Sequence, residues 1–189
     1  MHGSTNRPFA SRGGEKLAFA LDRFTVEVAG RVCADLGCNV GGFVDCLLRR
    51  GASRVYAVDT GYGALAWNLR RDARVVVLER TNAMHVELPE PVSLITIDVA
   101  WTRQHLILPH ARALLKPPAE ILTLIKPHYE ASDDRLRGGV LPEDRLEETL
   151  AEMTARLASA GIRLDATVEC PLRGGKGNRE FWGWVRLAE

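Results

Sequence analysis

The chain has 189 residues, 46% of them hydrophobic and 26% charged, with a formal net charge of +1. That length suits one α/β domain with a sizeable core and crowds two, and the composition is that of an ordinary globular protein, not of a disordered or fibrous chain. No run approaches about 18 consecutive apolar residues and the opening "MHGSTNRPFASRGG" has no apolar signal core, so a cytoplasmic protein is expected.

In chain order, residues 1–10 are expected to be a flexible segment ahead of a single domain, 1–189 overall. Strand-like and helix-like runs then alternate, which predicts parallel strands with helical crossovers in a doubly wound sheet. A helix is predicted over residues 14–23, a strand at "RVCADLG", and a helix at "GGFVDCLLRRG" stopped by Gly51. "RVYAVD", the helix "ALAWNLRRD", "RVVVLE" and "VSLITID" follow; the helix "QHLILPHARALLK" holds Pro109, which predicts a late first turn or a kink. "EILTLIKP" is a strand stopped by Pro127. "HYEASDDRLRGGVLPED" reads as a mobile loop, "EDRLEETLAEMTARLASAG" as a helix, and "IRLDATVEC" and "REFWGWVRL" as strands joined by "PLRGGKGN". A loop that short lets the final strand run antiparallel.

In such a sheet, ligands sit beyond the carboxyl ends of the strands, bordered by the first one. Asp35, Gly37, Gly41 and Gly42 fall there, in the pattern D-x-G-x-x-x-G-G. A dinucleotide fingerprint spaces its glycines differently and a phosphate-cradling loop ends in G-K-[ST], so neither fits. An acid at the strand end suits a ligand carrying an ammonium and a sulfonium, as S-adenosylmethionine does. Asp59, at the end of the second strand, is placed to accept hydrogen bonds from ribose hydroxyls, and for Gly37, Gly41 and Gly42 a ligand-free tight turn is the competing reading. Lys16, Asp98, Lys126 and Glu180 form a second constellation, four charges of alternating sign that strand ends and the first helix can bring to one cleft. Cys33, Cys38, Cys46 and Cys170 lack metal-ligand spacing and read as reduced structural residues.

The segments "SRGGEKLAFALDRF", "GYGALAWNLRRDARVVVLERTN", "LITIDVAW", "EILTLIKPHYE" and "GKGNREFWGWV" resemble the FtsJ-like 2′-O-ribose RNA methyltransferases, and among them the TlyA, or hemolysin A, branch. The resemblance implies a Rossmann-like S-adenosylmethionine-dependent methyltransferase fold, with a seven-stranded, mostly parallel sheet, an antiparallel last strand and helices on both faces. It also implies a catalytic tetrad at Lys16, Asp98, Lys126 and Glu180, and a cofactor site at Asp35, Gly37, Gly41, Gly42, Asp59 and Asp98, with Asn82 on the adenine side. An N-terminal S4-type RNA-binding domain, usual in the family, is expected to be absent, with a separate RNA-targeting partner in its place. Ala100-Trp101 stands where the branch carries Ser-Phe, and Cys38-Asn39-Val40 where it tends toward Ala-Ser-Thr.

On this reading Lys126 is the base for a ribose hydroxyl, as a lysine can be where burial and a nearby cation favour its neutral form. Asp98 and Glu180 place the lysines, and Lys16 meets the hydroxyl or an adjacent phosphate. RNA, with ribosomal RNA as the expected class, is expected to enter over a basic rim of Arg12, Arg173, Lys176 and Arg179. Trp101, Tyr129 and Trp182 are positioned to stack a flipped base, with ordinary packing the competing reading for Trp182 and Trp184, and His128 lines the site. A small-molecule methyltransferase and a non-catalytic cofactor-binding module remain alternatives.

Overall fold

Alternating apolar runs give the chain one central sheet to cover. A computed structural model, describing residues 8–188, shows seven strands with helices on both faces. The predicted flexible segment lies outside the described residues through residue 7. From there the chain is held: Ala10 N–H donates to Asp45 Oδ2 at 2.9 Å and Phe9 packs on the core.

Helix α1 (Arg12–Phe24) starts at Ser11, whose hydroxyl accepts from Gly13 N–H at 3.2 Å, and buries Leu17, Ala20, Leu21 and Phe24, a stripe at helical spacing. Strand β1 (Val32–Leu36), helix α2 (Gly42–Arg49), strand β2 (Arg54–Val58), helix α3 (Trp67–Arg70), strand β3 (Val75–Leu78), strand β4 (Val92–Ile97) and helix α4 (Gln104–Ala113) follow. Then come strand β5 (Leu115–Ile125), helix α5 (Pro127–Glu130), helix α6 (Leu146–Ser159), strand β6 (Ala166–Glu169) and strand β7 (Phe181–Leu187). The strand order is β3-β2-β1-β4-β5-β7-β6, and β7 runs antiparallel to both neighbours. Order reverses between β1 and β4, which makes their carboxyl ends the expected ligand crevice.

Side-chain alternation splits the core. Leu94, Leu122, Leu124 and Trp182 face α1 and α2, while Ile95, Ile97, Ile121 and Val185 face the side of α4 and α6. Each fully buried aliphatic side chain contributes roughly 2 kcal/mol. All four cysteines are buried and free. Among the described residues no helix is long and apolar enough to cross a membrane.

Four elements differ from the sequence reading. The helix predicted over "ALAWNLRRD" is a single turn, because the N–H groups of Gly61 and Gly63 are taken by Asp59 (2.7 Å) and Glu79 (2.9 Å), holding an irregular loop ahead of it. Strand β5 begins five residues earlier than "EILTLIKP", at Leu115, because "LKPPA" is already extended and Leu115 pairs with Val92. Strand β6 is confined to Ala166–Glu169, the part of "IRLDATVEC" that pairs with β7. The predicted loop after Pro127 is built from α5, helical turns at Asp133–Arg135 and Glu143–Arg145, and a bridge between Arg137 and Val140. Helix α4 continues through Pro109.

Candidate active site

Strand ends determine what meets at the crevice. After β1, Gly37 and Cys38 N–H both donate to Val58 O, at 2.8 and 3.0 Å, and Asp98 N–H donates to Leu36 O at 2.9 Å. The turn is thereby fixed between the ends of β2 and β4. Gly37 has φ +91°, and a Cβ there would sit 2.5 Å from the Asp98 carbonyl oxygen, so a side chain would force β4 away from the turn. Gly37→Ala is expected to cost about 2–4 kcal/mol, from left-handed strain plus overlap. Urea unfolding measures this, and an unchanged midpoint would mean that the turn yields freely. Gly42 is constrained by approach instead, since a Cβ would run into Ser11 Oγ and lie 2.9 Å from Gly14 N, where α1 and α2 begin side by side. Gly41, at φ +98°, is the left-handed cap of α2, whose first turn has no side-chain cap.

Three acids surround this turn. Asp35 has no exposed surface; its Oδ1 accepts from Thr96 Oγ1 at 2.8 Å and its Oδ2 has no partner. Burial pushes its carboxyl up to about 8, against the Thr96 hydrogen bond and with further upward pressure from Asp98 and Asp59. The sequence reading put Asp35 in the crevice. Its carboxyl has no exposed surface and does not line the cavity at the glycine turn, being held against Thr96 of β4. Asp59 accepts from Asn39 N–H at 2.8 Å and Gly61 N–H at 2.7 Å, tying the glycine turn to the loop after β2. Thr81 N–H donates to Asp59 O at 2.9 Å, which places exposed Asn82 beside that loop, with its Oδ1 accepting from Met84 N–H at 2.9 Å. Acids converging on uncapped backbone N–H groups suit a ligand with a carboxylate at one end and positive charges nearby, the donor and acceptor set that S-adenosylmethionine needs.

The two lysines and their acids come together as two ion pairs. Lys16 Nζ donates to Glu180 Oε2 at 2.5 Å, both residues being less than one-tenth exposed, at 8% and 3%. Lys126 pairs with Asp98 and donates to Val99 O at 3.3 Å. Sheet register explains the meeting: Ile125 opposes Phe181 across β5 and β7, so the next residues outward, Lys126 and Glu180, emerge as neighbours. A cavity of about 270 Å³ is lined by Gly37, Gly42, Lys16 and Asp98, and another of about 640 Å³ by Lys126, Glu180, Tyr129, His128, Trp101 and Lys176. Each ion pair gives one member to each cavity, so together they form the wall between them.

Around the larger cavity, Trp101 is 80% exposed at φ +59°, and its ring lies 5.9 Å from Tyr129. His128 packs 4.2 Å from Tyr129; burial, then Lys126 and Lys176, push it down to about 4, so it is neutral near pH 7. Trp182 is fully buried against Phe43 and Trp184 stacks on Phe24, which makes both core residues and removes Trp182 from the stacking set. Of the basic residues, Arg12 lines the smaller cavity and Lys176 the larger, and Arg173 is exposed with a hydrogen bond to Gly177 O at 3.2 Å. Arg179 differs: its guanidinium is paired with Glu169 and Glu143, so its charge is compensated. Sequence reasoning missed Asn178, which is buried and clamps the neighbouring loop by accepting from Leu141 N–H (3.0 Å) and donating to Gly139 O (3.0 Å). Its setting among glycines was the only signal.

The model of the family described as FtsJ-like methyltransferase matches residues 9–187. YqxC of Bacillus subtilis is 40% identical over 182 residues, covering 92% of this chain and 64% of YqxC. The 16S/23S rRNA (cytidine-2′-O)-methyltransferase TlyA of Mycobacterium tuberculosis is 39% identical over 193 residues, covering 96% of this chain and 70% of TlyA. A hemolysin-like chain of known structure from Streptococcus thermophilus superposes with a TM-score of 0.91 at 33% identity, covering 99% of this chain and 70% of that one.

Proposed function

Because this chain belongs to the FtsJ-like methyltransferase family, we propose that it transfers a methyl group from S-adenosylmethionine to a ribose 2′-hydroxyl of RNA, with ribosomal RNA as the substrate class. The wall of two lysine–acid pairs between two cavities carries this reading, since it gives the donor and the acceptor separate compartments with charged groups at the junction. Similarity to the M. tuberculosis TlyA supports the choice of ribosomal RNA.

When bound, the cofactor supplies a methyl group on a sulfonium. Gly37, Gly41 and Gly42 would shape the turn, and the first N–H groups of α2, which have no side-chain cap, would receive its carboxylate end. Asp98 would face the ammonium from the cavity wall, with Asp35 buried beside Thr96 behind it. Asp59 would hold the ribose hydroxyls and Asn82 the adenine side. Lys126 is the group placed to take the proton of the attacking hydroxyl. Lys16 binds that hydroxyl or the adjacent phosphate, and Asp98 and Glu180 hold the two lysine heads in place. Trp101 and Tyr129 offer faces on which an extruded base can stack. Fixing both reactants across one wall removes the orientational freedom that otherwise slows transfer.

Tritiated S-adenosylmethionine incubated with ribosomal subunits tests the reading, and label in 2′-O-methyl nucleotides is the expected result. Label confined to a small metabolite would favour the small-molecule alternative, and no cofactor binding by calorimetry would end both. The rim makes a separate claim. Charge reversal at Arg173 and Lys176 together is expected to weaken RNA binding by about tenfold or more, to flatten its salt dependence by roughly two phosphate contacts, and to spare cofactor affinity. An unchanged salt slope would remove these residues from the RNA path.

A further inference from the structure

Asp98 and Lys126 end different strands, and the segments that follow them are joined a few residues farther on. After Lys126 the chain turns directly into α5, which ends at Glu130. After Asp98 it runs through Trp101, in a left-handed conformation, to the start of α4. The N-cap residue of α4, Arg103, makes no side-chain cap of its own. The cap comes from the other segment: Glu130 Oε1 accepts from Gln104 N–H at 2.7 Å, with Glu130 only 2% exposed. The same Gln104 accepts through its side chain from Thr123 Oγ1 at 2.7 Å, three residues before Lys126 on β5, and Arg156 of α6 donates to the Glu130 carbonyl oxygen at 3.2 Å. The second carboxylate oxygen, Oε2, is buried without a partner, so the capping bond is the carboxylate's one satisfied contact among the described residues.

We propose that Glu130 is a positioning residue for the reaction: by capping α4 it locks the turn after Lys126 to the loop after Asp98, and so sets the Lys126–Asp98 pair and the stance of Trp101 beside it. The catalytic meaning of this lock rests on the function proposed above; the mechanical coupling does not. The bond requires an acceptor oxygen and not a charge. Burial raises the Glu130 carboxyl above the usual carboxylate range, opposed by the Gln104 hydrogen bond and by His105, Arg103 and Arg156, so an amide of the same shape is a close stand-in.

The test compares Glu130→Gln with Glu130→Ala in the whole chain. Amide hydrogen exchange without substrate is expected to quicken by about tenfold or more in Glu130→Ala at both residues 99–104 and residues 127–131, to leave β1 and β2 protected, and to stay near wild type in Glu130→Gln. In methyl transfer to ribosomal subunits, Glu130→Ala is expected to lower kcat by about tenfold or more with cofactor affinity within about twofold, and Glu130→Gln to restore most of it. Exchange that quickens in only one of the two segments, equal behaviour of the two variants, or a kcat untouched by Glu130→Ala would overturn the proposal. A wild-type chain that labels no RNA would count against the proposed function, while the exchange comparison would still decide the coupling.

Discussion

Lys126→Ala is expected to lower methyl transfer by about a thousandfold, within the range that a positioned general base supplies, while calorimetry finds cofactor affinity changed by no more than about threefold, because the side chain lines the larger cavity and not the one at the glycine turn. The geometry separates these two quantities. Lys126 meets the lining of the smaller cavity through Asp98, whose carboxylate remains in the variant. The expected signature is therefore a loss in kcat with intact binding. Asp59→Ala reverses the pattern, since the Asn39 and Gly61 N–H groups lose their acceptor and the turn loses its tie to the β2 loop. A Lys126→Ala protein that still transfers methyl at a comparable rate would assign the proton to another acceptor. His128 lines the same cavity and is neutral near pH 7, which makes it the alternative acceptor.

Much of this site was legible in the sequence because its parts sit at strand ends, where a period-two apolar run stops on a charged residue. "TID" and "LIK" have that form, and once β4 and β5 are parallel neighbours their ends must meet. Glu180 was legible for a related reason, as the polar residue just ahead of "FWGWV". What could not be read was facing and pairing across long separations. Asp35 reads as a crevice acid in "VCADLG", and its burial follows from a partner 61 residues later, Thr96 of β4, which the sequence does not announce. Arg179 reads as a rim cation until Glu143, 36 residues earlier, is brought against it. Glu130 reads as one more surface acid in "KPHYE", because the N–H it caps lies 26 residues earlier. The loop containing it was taken as mobile on composition alone, whereas its helical turns are held by contacts that composition does not encode, such as the Asn178 clamp.

Asp35→Asn is expected to make the fold more stable at pH 8 and less stable at pH 4. The folded carboxyl titrates at about 8 against an ordinary value of 3.8, so between those values the native state keeps a proton that the unfolded chain has released. A group whose folded pKa is raised contributes stability that is fully present below the unfolded pKa and disappears as pH climbs to the folded one. At roughly 1.4 kcal/mol per pH unit over about four units, the wild type loses on the order of 5 kcal/mol across this window. Asparagine abolishes that slope. It still offers Thr96 an acceptor, but it sets an amide N–H group where Oδ2 has no partner, at a cost of about 1–3 kcal/mol. The variant should therefore trail the wild type by that amount at pH 4 and lead it by about 2–4 kcal/mol at pH 8, as read from urea unfolding at each pH. Parallel profiles would show that the native carboxyl ionises like an exposed one, and that water reaches beneath the turn.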